Sequence, residues 1–218
     1  MPVFVDHRLK LTYDDLRKIP EDDPYRHEIL DGMHVASPSP VYRHQAISRR
    51  MHYQLYEQIE LTGMGDVVYA PADVELGIYD VVEPDIYVIL SEHRERVLPS
   101  HVRGVPDLVI EILSPSTASR DRGLKRERYE ALGVPEYWIV DPDSEVVEVY
   151  RQTGADGLAV ETPEGRSEPS PERAFAPPER YRDAVTFRAP TVTATVDLTK
   201  VWRDPAGRPE PGEDSAAR

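Results

Sequence analysis

The sequence contains no cysteine. Disulfides and thiolate chemistry are therefore excluded, and a metal would have to be held by Asp, Glu, His or carbonyl oxygen, a donor set that favours a hard cation. Long apolar runs are missing as well. No stretch approaches the ~18 to 20 residues of a membrane helix, and MPVFVDHRLKLTYDD lacks the basic start and apolar segment of a signal peptide. The cytoplasm is the expected location, with no membrane partner. Basic charge is scarce: 26 Lys and Arg stand against 40 Asp and Glu, a net charge of −14. That balance argues against a nonspecific coat for nucleic acid, although it does not decide what one cleft binds.

What is present suits a folded protein. With 218 residues, 39% of them hydrophobic, the chain can bury one good-sized core, and one main domain is expected. Thr12 followed three residues later by Asp15 marks a helix start, with Leu16 and Ile19 on its apolar side and Pro20 as its stop. YRHEILDGMHVA predicts a hairpin, because Asp31-Gly32 suits a type I′ turn, and Glu28 falls on its first strand. Between Val41 and Thr62, the positions of Ile47, Met51, Leu55 and Ile59 predict a long helix closed by Gly63.

Strands are expected at VVYA, DVELGI, EPDIYVIL, DLVIEIL, EYWIVD and EVVEVYR. A second helix is expected from Asp121 to Leu132, closed by Gly133. Runs that are apolar on both faces, such as LVIEIL, imply a mixed sheet covered by a helix on each face. The stretch Pro163–Asp183, rich in proline and charge, is expected to be a loop insertion, and residues 203–218 a disordered tail. VTFRAPTVTATVDLTKVW, between them, regains strand-like order.

DLVIEILSPST sets Glu111 among Leu108, Val109, Ile110, Ile112 and Leu113. An unpartnered carboxylate in an apolar layer costs several kcal/mol, so a buried Glu is normally paired, protonated or bound to a metal. Strand alternation puts Asp107, Val109, Glu111 and Leu113 on one face. For a lone Glu, an exposed face or an ion pair is the plainer explanation, but Asp85 opens the preceding strand and brings a second acid near. Two carboxylates on adjacent strands can share Mg²⁺ or Mn²⁺ and leave its other positions to water and phosphate. Taken alone, Asp85 would be turn chemistry. Beyond Glu111, STASRDRGLKRERYE gathers Arg120, Arg122, Lys125, Arg126 and Arg128, where a solvated helix with Glu127 and Glu130 as partners accounts for most of the charge.

Together, HEILDG, SPSPVYRHQAI, PDIYVI, PDLVIEILSPST and DRGLKRERYEALGVPEYWIVDP resemble the PD-(D/E)XK restriction-endonuclease-like superfamily, and within it the Uma-two endonuclease group. The resemblance runs from Thr12 to about Trp202. It implies an α/β (mixed α+β) restriction-endonuclease-like core spanning 1–202. This would be a mixed central β-sheet flanked by helices, with an N-terminal helix plus β-hairpin and a C-terminal β-hairpin region. It further implies a Mg²⁺- or Mn²⁺-dependent endonuclease acting on nucleic acid, DNA first, with Asp85 and Glu111 as metal ligands. The superfamily lysine two residues after the acid is absent, since Leu113 stands there, and the group's pattern places it at Lys125 on the next helix. Glu28 matches an acid of the group's hairpin and would be a ligand or base, or else a solvent-facing strand residue near Arg26.

His44 matches a histidine that would contact phosphate or metal, or would equally serve as a cap or core hydrogen bond. Arg120, Arg122, Arg126 and Arg128 would contact flanking phosphates. A homodimer would suit cutting both strands of a duplex. The alternatives are a nuclease-fold protein that binds nucleic acid or a protein partner without cutting, and a phosphodiesterase for small nucleotides.

Overall fold

The computed structural model describes residues 10–20, 22–153, 165–204 and 207. The first helix, α1 (Tyr13–Leu16), begins where Thr12 donates from its backbone N–H and its hydroxyl to the Asp15 carboxylate, at 3.0 and 3.1 Å. Strands β1 (Arg26–Leu30) and β2 (Met33–Ser37) form the expected hairpin, with Asp31 and Gly32 both at positive φ in its turn. The long helix α2 (Tyr42–Leu55) continues as a wider π-helical turn, Tyr56–Glu60, and Gly63 at φ 75° ends it.

Next come β3 (Gly65–Tyr69), β4 (Val74–Gly77), β5 (Asp80–Val82), β6 (Ile86–Leu90), β7 (Val102–Arg103) and β8 (Leu108–Ile112). The helical crossover is a turn α3 (Ala118–Arg120), a π-helical turn Asp121–Lys125, and α4 (Arg126–Leu132), closed by Gly133 at φ 83°. The expected helix is therefore present and starts three residues early, with a wide turn in its middle. Strands β9 (Glu136–Asp141), β10 (Val146–Arg151), β11 (Glu179–Tyr181), β12 (Ala184–Arg188) and β13 (Thr193–Asp197) precede a last turn, α5 (Thr199–Trp202).

The central sheet has six strands in the order β11-β10-β9-β8-β6-β3, and it is mixed: β8 and β9 run parallel, while its other pairs are antiparallel. A second sheet, β2-β1-β5-β4-β7, lies apart from it, and β12 and β13 form a separate hairpin. The mixed central sheet flanked by helices, with separate N- and C-terminal hairpins, is as expected, while β5 and β7, which extend the N-terminal hairpin into a sheet, are too short to show a period. Both faces of the central sheet are covered. On one, Leu108, Ile110 and Ile112 join Ile47, Met51, Leu55 and Ile59 of the long helix and Val185, Phe187 and Val196 of the C-terminal hairpin. On the other, Val109 and Leu113 pack with Tyr129, Leu132, Leu76 and Val82. At about 1.5–3 kcal/mol for each large apolar side chain fully buried, this double cover explains why the strands are continuously apolar.

The Pro- and charge-rich stretch does more than loop. Residues 179–181 pair with β10, and Ser167 and Arg173 are buried. Of that expectation, residues 163 and 164 lie outside the described residues, as does the tail beyond 204 apart from 207. Arg166 and Arg103 donate to the buried Glu75 on β4 at 2.8 and 2.6 Å. Burial opposes the Glu75 charge, but those two arginines outweigh it and hold the carboxyl below its ordinary range. A depressed pKa gives stability that is present above the unfolded value and lost as pH falls through the folded one. We expect Glu75→Gln to lower stability by about 1 to 2 kcal/mol at neutral pH, the arginines being partly solvated. Thermal melts should show the deficit shrink as pH falls below the ordinary carboxylate range. Among the described residues, no helix is long and apolar enough to cross a membrane.

Candidate active site

Asp85 and Glu111 meet because of strand register. Ile86 pairs with Ile110, so one step further Asp85 stands across from Glu111. The Ile112 N–H donates to Asp85 Oδ2 at 2.8 Å. Alternation turns both acids to the same face as Tyr87, Val109 and Leu113, toward the second sheet and α4. From that second sheet the hairpin delivers Glu28, which is 3% exposed and so is not the solvent-facing residue that was one alternative. Its Oε1 accepts from the Glu83 N–H at 2.9 Å.

Lys125 arrives from the crossover. Its Nζ lies 2.7 Å from Glu111 Oε1 and 2.7 Å from Glu28 Oε1. The wide turn explains the reach. A step of four residues overshoots a 3.6-residue turn by about 40°, and a π turn takes up that overshoot. Asp121, Lys125 and Tyr129 thus line one buried side of the helix, and the Tyr129 hydroxyl donates to Glu111 Oε1 at 2.7 Å. Only this spacing of four, visible in the sequence, hints at Tyr129.

His44, near the start of α2, is buried, and its Nε2 lies 3.0 Å from both Asp85 Oδ2 and the Ile112 carbonyl oxygen. A carbonyl only accepts, so Nε2 carries the hydrogen. His44 Nδ1 is also buried and makes no hydrogen bond among the described residues. Arg26, which the sequence placed only as a neighbour of Glu28, donates to Asp85 Oδ1 at 3.0 Å and also binds Glu83. Its guanidinium is a second cation against the same acid.

These groups perturb one another. Burial works against the Asp85 carboxylate most strongly, but the His44 hydrogen bond and charge, Arg26 and the Ile112 N–H bring it down to about 2. Burial pushes Glu111 up; Lys125 pulls back, yet Asp121, Asp85 and Glu28 add to the rise, which reaches about 8. Burial disfavours the Lys125 charge, but Glu111, Glu28 and Asp121 overcome it and raise the amine above its ordinary value. Lys125 is therefore a fixed cation and a donor, and the mobile protons belong to the carboxyls.

The groups line a cavity of about 350 Å³, where Glu28, Asp85, Glu111 and Asp121 face Arg26, Arg120 and Lys125. The basic residues of the crossover do not all gather there. Arg120 lines the cavity, donating to Ser37 Oγ at 2.7 Å, with Glu28 Oε2 3.7 Å away. Arg122 lines a neighbouring cavity, held by Asp141 at 3.1 Å and by Glu148. Arg128 makes a two-pronged pair with Asp80, at 2.7 and 2.6 Å, and lines neither cavity; nor does Arg126.

The sequence model of the Uma2 family, described as "Putative restriction endonuclease", matches residues 13–180. The chain belongs to this family, as its motifs implied. A crystal structure at 1.96 Å resolution of "a putative nuclease belonging to DUF820 from Anabaena variabilis ATCC 29413" has the same fold: TM-score 0.58, 20% identity, 88% of this chain and 97% of that one covered. No curated protein matches the chain.

Proposed function

We propose that this chain is a divalent-metal-dependent nuclease that hydrolyses nucleic-acid phosphodiester bonds, DNA being the first substrate to test. The observation that carries this reading is the meeting of Asp85, just before β6, with Glu111, Glu28 and Lys125, from two strands and the helical crossover, within one cavity. Such a set of buried charges is expensive to maintain for stability alone. Perturbed acids and a fixed cation in a cleft are what a hydrolytic site needs.

The donor set fits a hard cation. Asp85 and Glu111 offer carboxylate oxygens from facing strand positions, and Mg²⁺ or Mn²⁺ needs only one or two such ligands. Among the described residues no group of three or more metal-ligating side chains is preformed. A divalent ion would add the positive charge that Glu111, raised to about 8 by burial, needs to ionise at neutral pH. Bound by Asp85 and Glu111, it would supply Lewis acidity and an acidified water.

The chain's own residues supply the rest. Lys125 keeps Glu28 and Glu111 together and offers a donor to the negative charge that builds on the phosphoryl oxygens. Tyr129 fixes Glu111 through Oε1, and His44 and the Ile112 N–H orient Asp85. Glu28 and Asp121 are the remaining carboxylates of the cavity, and we assign to Glu28 the proton of the attacking water. Arg120 positions a phosphate at the rim without reading sequence. A single domain and a cytoplasmic setting belong to the same proposal.

The test is incubation of the purified protein with supercoiled plasmid, single-stranded DNA and RNA, each with Mg²⁺, Mn²⁺ or EDTA. Cleavage with metal and none with EDTA is the expected result. Binding without cleavage under all these conditions would favour the non-cutting alternative.

A further inference from the structure

The acidic cavity does not stand alone. Val41, His44, Ser114 and Pro115 also line a second, larger cavity of about 590 Å³, so the two share a wall. The second chamber differs in chemistry. Leu113, Ala118 and Pro142 join Val41 and Pro115 to give it an apolar wall, and Arg43, Arg122, Asp141, Asp143 and Ser144 give it a polar edge opposite. Leu113, the position where the superfamily pattern has lysine, is thus a wall of this chamber.

The cationic groups nearby are poorly placed for a duplex. Duplex binding rests on a row of Lys and Arg contacts to phosphate. Here Arg122 is held by Asp141 and Glu148, Arg128 by Asp80, and Arg43 by the Pro142 carbonyl at 2.7 Å. What remains fits one nucleotide unit: a phosphate at the acids and an attached base against the apolar wall. A base can enter such a chamber only after leaving its stack and its partner, which a single strand allows at little cost.

Resting on the hydrolytic reading above, we propose that the second chamber holds the unpaired nucleobase next to the scissile phosphate, so that the substrate class is single-stranded nucleic acid. His44 belongs to both chambers, and its Nδ1, buried without a hydrogen bond, is the positioning contact between them. A single strand also needs no second active site, so the activity would not require a dimer.

The experiment uses the full chain carrying Asp85→Asn to prevent cutting. Fluorescence anisotropy is read with labelled oligothymidine, the same strand built from abasic units, and the thymidine–adenosine duplex, in DNA and RNA forms. We expect oligothymidine to bind at least about tenfold tighter than the duplex or the abasic strand. Ala118→Trp, which fills the chamber, should erase that preference. Val41→Trp repeats the test at a position 64% exposed, where folding is safe. Equal binding of all three ligands, no binding of any, or an intact preference in both tryptophan variants would overturn the assignment. A preference that behaves as expected, in a wild type that cuts nothing with either metal, would overturn hydrolysis and leave the chamber standing. Cleavage with no strand preference would do the reverse.

Discussion

Asp85→Asn and Glu111→Gln should each reduce metal-dependent cleavage by at least about a thousandfold, the equivalent of roughly 4 kcal/mol of transition-state stabilisation. Both substitutions keep the shape of the side chain and remove one anionic oxygen. The loss therefore reports the charge that would hold the metal rather than a packing defect. Stability should part the two. Asp85→Asn should lose some, because, against burial, His44, Arg26 and the Ile112 N–H hold that carboxylate below its ordinary value, and Glu111→Gln should lose none, because burial already pushes its carboxyl toward the neutral form. Buried charge kept at a site against the interest of stability is a common mark of function. Melting curves beside the cleavage assay check both halves, and activity within tenfold of wild type in either variant would sink the assignment of these two acids.

The second large effect falls on stability as well as rate. Lys125→Met should lower cleavage roughly a hundredfold to a thousandfold, the range for removing one preorganised donor. It should also destabilise the protein by about 3–5 kcal/mol at neutral pH, because Glu28, Glu111 and Asp121 are left buried without their shared cation. For a chain of this size that is roughly 10 °C in melting temperature. The pH dependence follows from sign. Glu111 is already raised to about 8 with the lysine present, and losing the cation raises it further. A carboxyl whose folded pKa exceeds its unfolded one takes up its proton more readily when folded, so stability returns as pH falls through that range. The deficit should grow as pH rises through about 8, where the wild-type carboxyl ionises beside its lysine and the variant's does not, and level off below that. A deficit that did not depend on pH would mean that Lys125 acts through packing alone.

The elements with strong local signals were legible in the sequence. Asp31-Gly32 forced a tight hairpin because both residues tolerate positive φ. Ile47, Met51, Leu55 and Ile59 recur at helix spacing and do bury together. Alternation in DLVIEIL separated Glu111 from Leu108, Ile110 and Ile112, and the two sets occupy opposite faces of the sheet. Weak periods hid β5, β7 and β11, whose two or three residues are too few to carry one.

What the sequence by itself determined is the chemistry on offer: carboxylates at two strand positions, a lysine and arginines on the helix between parallel strands, and no thiol. Those facts are local, because residue type and backbone alternation depend on near neighbours along the chain. Which charges meet was decided only by the tertiary structure. The antiparallel register of β6 and β8 set Asp85 against Glu111. The second sheet carried Glu28 to them, and a wide helical turn brought Lys125 between Glu28 and Glu111. The same packing spent Arg128 on Asp80 and Arg122 on Asp141 and Glu148, so two of the crossover's five basic residues went to the fold. Partners more than a turn apart are chosen by packing, and no local pattern records that choice.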